Sequence, residues 1–81
     1  MKSIKVEYKK LGRQRVIGLA YGKERRIEID ERLTGEKFIT TLIHEIMHIQ
    51  NWHWDEFKVY DDAEEMGKIV YRELIKKGVI K

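Results

Sequence analysis

The stretch RIEIDERLTGEKFITTLIHEIMH, Arg26 to His48, decides the fold. Its first five residues alternate charged and apolar side chains, the period of a half-buried β-strand. After a short connection the period changes. Leu33-Thr34-Gly35-Glu36 opens a helix, with Thr34 as N-cap, Glu36 at the positive dipole end, and Leu33 and Phe38 at the positions of a hydrophobic staple. Ile39, Leu42, Ile43, Ile46 and Ile49 fall on one helical face, so the helix is expected to reach about Gln50. Asn51 suits a left-handed C-terminal conformation.

Working outward toward the N-terminus, Ser3 to Lys9 sets Ile4, Val6 and Tyr8 against Lys5, Glu7 and Lys9, a first strand. Gly12 falls in a turn. Arg15 to Tyr21 is apolar enough for a second strand, with Gly18 marking a bulge or a close backbone approach. Gly22-Lys23 reads as a tight hairpin turn into Arg26–Asp30. In the other direction, a loop carries Trp52, His53 and Trp54. A last helix begins at Asp55 or near Asp61 and runs to about Lys77, with a stripe of Val59, Ala63, Met66, Val70 and Leu74 and with Gly78 as terminator. The order β-β-β-α-α predicts an α+β fold in one domain over residues 1–81, a small three-stranded antiparallel sheet followed by two packed helices.

Eighty-one residues give a marginal core, which a bound metal or a partner would help to hold. There is no cysteine, which excludes disulfides, thiolate-bound metals and a thiol nucleophile and suits a reducing compartment. No apolar run approaches membrane-spanning length, and the four lysines before residue 11 precede no apolar signal segment. A cytoplasmic chain that neither spans a membrane nor carries a signal is expected. The net charge of +3 conceals a split: residues 1–26 carry +7, residues 27–65 carry −8 and residues 66–81 carry +4.

Within the first helix stands His44-Glu45-Ile46-Met47-His48. Histidines four apart lie on one helical face, where both imidazoles can reach a single metal ion. Glu45 sits about 100° round the helix, placed to address a metal-bound water from the side. The apolar residues lie nearly opposite, leaving Thr41, His44, Glu45 and His48 as a polar stripe that needs partners. A hydrolytic zinc site requires a third protein ligand and one open position. In the extended metzincin spacing the third histidine would fall on Trp54 and the glycine on Asn51, and His53 comes one residue early. A carboxylate of the next helix is the other route: Asp61, Asp62, Glu64 and Glu65 are available. Glu64 stands at the edge of the buried face, with Gly67 one turn on to let the helices approach, whereas Asp61 and Glu64 also have the spacing of a capping box.

From Arg26 to Ile80 the chain resembles the minimal zincin metallopeptidases, particularly the ImmA/IrrE-type and related small phage or prokaryotic gluzincins. RIEIDERLTGE, TLIHEIMH and DDAEEMGKIV carry the likeness. The resemblance implies Zn2+ held by His44, His48 and Glu64, with Glu45 as general base. The family's E-x-x-A-N segment is here Glu64-Glu65-Met66-Gly67-Lys68. A second likeness joins His53-Trp54-Asp55-Glu56-Phe57 to the H-x-x-x-F of SprT-like zincins, where that histidine is the third ligand.

The leading expectation is therefore a zinc metallopeptidase that hydrolyses a protein or peptide substrate through a metal-activated water. The substrate would lie along an exposed sheet edge, for which Arg26–Asp30 is the nearest strand. Tyr21, Tyr60 and Tyr71 are candidate oxyanion donors, and Trp52 and Trp54 either wall a pocket or cap the core. An alternative is a non-catalytic zinc-stabilised module that binds a protein partner. A third is a nucleic-acid-associated protein using the basic ends, Lys2–Arg15 and Lys68–Lys81. Lysines spread along a strand and a helix more commonly form a solvated face, so neither nucleic acid nor a membrane is an expected partner. Seven of the eleven carboxylates in the −8 segment lie at or after the motif, a field that favours a divalent cation and a basic substrate segment.

Overall fold

The computed structural model describes residues 3–12 and 16–80. Strands β1 (Lys5–Lys9), β2 (Gly18–Tyr21) and β3 (Arg26–Asp30) precede helices α1 (Gly35–Gln50) and α2 (Glu56–Lys76). The α+β architecture of three strands and two packed helices is as the sequence predicts. Arg15, the expected start of the second strand, lies outside the described residues, as do the outermost lysines of the two basic ends.

The sheet is mixed rather than antiparallel. Its order is β1-β3-β2, with β1 parallel to β3 and β2 antiparallel to it. The reason lies in β3, where Ile27 and Ile29 are fully buried on one face while Glu28 and Asp30 are buried on the other. A strand with both faces covered belongs in the middle. Glu28 finds partners on both neighbouring strands, and Asp30 on the segments that follow β1 and β3. Glu28 accepts hydrogen bonds from Lys9 Nζ of β1 at 2.8 Å, from Tyr21 Oη of β2 at 3.3 Å and from Arg26. These contacts, the Lys9 hydrogen bond first, hold its carboxyl below the usual carboxylate range against the desolvation that opposes them. Asp30 accepts from the backbone N–H of Leu11 at 3.3 Å and from Arg32 through its backbone, Nε and Nη2 at 2.9–3.0 Å. It thereby pins the crossover that leaves β1 to the turn that leaves β3.

The inner face of the sheet carries Ile27, Ile29 and Ala20, joined by Ile4 and Val6 and covered by Phe38, Leu42, Ile46 and Ile49 of α1. Tyr8 stands at the rim, its ring 6.2 Å from that of Phe38. A second apolar cluster lies between the helices, where Ile43 and Met47 meet Val59 and Ala63 under Trp54. Complete burial of Ile27, Ile29 and Val59 contributes roughly 1.5–3 kcal/mol for each side chain.

The helix ends follow backbone geometry more than side-chain capping. Thr34 has extended N-cap angles, but its hydroxyl makes no capping bond. Asn51 is not left-handed (φ −131°, ψ 60°); its N–H donates to Met47 O, and its own carbonyl accepts from Trp54 N–H as the chain turns into α2. At the far end of α2, Gly78 takes φ +74°, with Gly78 N–H donating to Ile75 O and Val79 N–H to Leu74 O, the paired bonds of a Schellman motif. The β2–β3 turn spans residues 22–25, and its left-handed residue is Arg25. Among the described residues no helix is long and apolar enough to cross a membrane.

The buried line of α2 is Val59, Ala63 and Gly67, whereas Met66 and Val70 of the expected stripe are over one-third exposed. Gly67 sets the helix separation. A β-carbon there would stand 2.1 Å from Thr40 Oγ1 and 3.0 Å from Thr40 Cα. Gly67→Ala should therefore destabilise the fold by about 1–3 kcal/mol despite alanine's better helix propensity. Urea unfolding measures this, and Thr40→Ala in the same chain should restore part of the loss.

Candidate metal centre and its cleft

The third side of α1, turned away from both apolar clusters, carries the H-E-x-x-H motif. His44 and His48 are one turn apart, with their Nε2 atoms 3.1 Å from each other. The loop after α1 is short, and Asp55 caps α2 by accepting from Lys58 N–H at 2.9 Å. The first residue of α2 thus lands beside the histidines: Glu56 Oε1 is 2.8 Å from His44 Nε2, and Glu56 Oε2 is 3.1 Å from His48 Nε2. These three side chains are the group whose ligand atoms all lie within 4.8 Å of one another. Donor atoms about 2.0–2.1 Å from a tetrahedral zinc stand roughly 3.3 Å apart, close to the spacing here, and two imidazoles with one carboxylate are zinc-type donors. The residues present fit the metal.

Glu56 is the ligand candidate that sequence reasoning missed. The signal was Asp55: taken as N-cap, it puts Glu56 in the first turn, and an antiparallel helix pair brings that turn beside the last turns of α1. Glu64 lies two turns further along α2. It shares a cleft with His44 and Glu45 but stands outside the His44–His48–Glu56 group. Asp61 and Glu64 form no capping box, since α2 begins at Glu56. Asp62 pairs with Lys58 at 3.1 Å, and Asp61 and Glu65 are exposed. His53 is exposed in the turn between the helices and takes no part in the group.

Glu45 is buried, and β2 buries it. A β-carbon at Gly18 would come within 2.9 Å of Glu45 Oε2 and of Thr41 Cγ2, so the close backbone approach expected at this glycine is what brings strand and motif together. Desolvation pushes the Glu45 carboxyl up from an ordinary 4.5 to about 7; His48 opposes the rise, and Glu56 adds to it. Proton exchange near neutral pH is the chemistry such a group can perform.

The edge nearest the motif is β2, not the Arg26–Asp30 strand, which is paired on both sides. Gly18, Leu19 and Ala20 line a hollow of about 360 Å³ with His44, Glu45, His48, Glu56 and Trp52. Trp52 is 67% exposed and lies over Gly22, where a β-carbon would meet its ring at 2.9 Å. Trp54 instead caps the inter-helix cluster, with Lys58 Nζ 4.6 Å above its ring. Of the three tyrosines considered as oxyanion donors, Tyr60 lines the cleft; Tyr21 donates to Glu28 on the opposite face, and Tyr71 lies by Gly35.

The raised Glu45 pKa has a definite sign in the chelated protein. Folding favours the neutral carboxyl, so its contribution is complete below about pH 4.5 and is lost as pH rises through about 7. Urea unfolding of wild type and Glu45→Gln should diverge over that window, the variant gaining up to roughly 3 kcal/mol relative to wild type at the alkaline end. Parallel pH profiles would contradict the burial of an ionisable carboxyl here.

Compared with protein-family models, curated proteins and solved structures, the chain matches none.

Proposed function

We propose that this chain is a zinc-dependent metallopeptidase, with His44, His48 and Glu56 holding the metal and Glu45 acting as general base. The observation that carries the reading is the His44–His48–Glu56 donor set beside a buried Glu45, at the free edge of β2. Zinc bound there would supply Lewis acidity and a water acidic enough to be deprotonated near neutral pH. The remaining work belongs to the protein. Glu45, buried beside the three ligands, would take a proton from the attacking water and return it to the leaving amine. The edge of β2 offers backbone N–H and C=O groups to an extended peptide, and the small Gly18 and Ala20 keep that peptide close to α1. A cytoplasmic setting belongs to the same proposal, since a cysteine-free chain needs no oxidising compartment.

Purified wild type should carry one zinc per chain and melt at a lower temperature in chelator, and His48→Ala should do neither. Glu45→Gln should keep the zinc yet cleave peptides at least about 100-fold more slowly. A protein without zinc and indifferent to chelator ends the proposal. A Glu45→Gln variant that cleaves at the wild-type rate leaves only a metal-stabilised module.

A further inference from the structure

Beyond the metal group, the cleft continues away from Glu56 between α1 and α2. Its inner lobe, about 450 Å³, runs from His44 and Glu45 past Ile17, Gly18 and Tyr60 to Glu64. Its walls are predominantly apolar, and Glu64 is the carboxylate set into them beyond the motif. Among the described residues Glu64 has neither a hydrogen-bond nor an ion-pair partner. Lys68 stands four residues on, the usual spacing for a helical ion pair, but the two do not pair. Glu64 also lines an outer lobe of about 430 Å³, together with Lys68, Lys37 and Glu36.

We infer that Glu64 selects a lysine or arginine side chain of the substrate, the geometry being an apolar channel that opens beside the catalytic carboxylate and leads to Glu64, a carboxylate without a partner among the described residues. This deepens the peptidase reading and rests on it for the word substrate. The chemistry of the channel matches that of a long cationic side chain. The aliphatic stem lies along Ile17, and the charged head reaches Glu64 beside the Tyr60 ring. Glu45 and Glu56 do not compete for that head, because one is buried under β2 and the other faces the histidines. Lys68 and Lys37 disfavour a cation on the outer side of Glu64, so the charged head is held on its inner, apolar side. The role is open to Glu64 because Glu56, two turns earlier, occupies the place at the imidazoles.

The test uses zinc-loaded full-length protein and alanine-based hexapeptides with one residue varied through lysine, arginine, norleucine and glutamate at each position in turn. At one position wild type should favour lysine or arginine over the neutral, equally long norleucine by on the order of tenfold, in kcat/KM or in Kd by calorimetry with Glu45→Gln. Glu64→Gln should abolish that preference, and Glu64→Lys should turn it toward glutamate, each with one zinc retained. Loss of zinc from Glu64→Gln would make Glu64 a ligand and overturn the proposal. So would a lysine preference that survives Glu64→Gln, or no difference between lysine and norleucine peptides in either assay. A lysine preference in binding that depends on Glu64, found with a wild type that cleaves nothing, would uphold the subsite and remove only the peptidase reading.

Discussion

Helix α1 packs on both of its apolar sides at once, and everything else in the molecule follows from that. Leu42, Ile46 and Ile49 cover the sheet, while Ile43 and Met47 meet α2, so both apolar clusters of the described residues depend on the same sixteen-residue helix. Only one side of α1 remains, and it holds the motif. Neither histidine can turn inward without displacing an isoleucine or a methionine. The fold therefore presents His44, Glu45 and His48 toward β2 and the start of α2 as a by-product of filling its own core. Glycines finish the arrangement where two backbones must come close, at Gly18 against Glu45 and at Gly67 against Thr40.

What the sequence made legible was local. Period-two alternation located Arg26–Asp30 to the residue, the 3.6-residue period gave α1, and a glycine past the last periodic residue of α2 gave its Schellman end. Alternation assigns residues to faces but says nothing about neighbours, which is why it predicts an antiparallel sheet where β3 lies between a parallel β1 and an antiparallel β2. What marks β3 as central is the burial of Glu28 between Lys9 of β1 and Tyr21 of β2, which alternation alone does not reveal. The same gap moved the expected substrate edge from β3 to β2. In the site, the motif was legible because its spacing is itself the geometry. Glu56 was not, since its position depends on where α2 begins and on how a five-residue connection closes. The apolar stripe of α2 also overstates burial, as Met66 and Val70 show by lying outside the Val59, Ala63 and Gly67 line that is buried.

The carboxylates of the acidic middle are not used alike. Glu28 and Asp30 are neutralised at the sheet by Lys9, Arg26 and Arg32, and Asp62 by Lys58. Asp61 and Glu65 lie exposed on α2. Glu45, Glu56 and Glu64 have no lysine or arginine partner among the described residues and gather on the open side of α1. Three of the eleven carboxylates thus line the cleft beside the motif, where a divalent cation or a basic side chain would compensate them.

The crossover from β1 has a consequence for assembly. Every residue of the candidate centre and its cleft comes from the continuous stretch between Val16 and Lys68. The parallel pairing of β1 with β3 joins residues 21 apart, such as Lys5 and Arg26, whereas the close approaches that shape the cleft, Gly18 to Glu45 and Thr40 to Gly67, each join residues 27 apart. Closing the cleft therefore costs at least as much loop entropy as closing the β1–β3 pair, and only the β2–β3 hairpin is local. The first strand is a clasp at the far edge of the sheet, securing β3 without contributing an atom to the cleft.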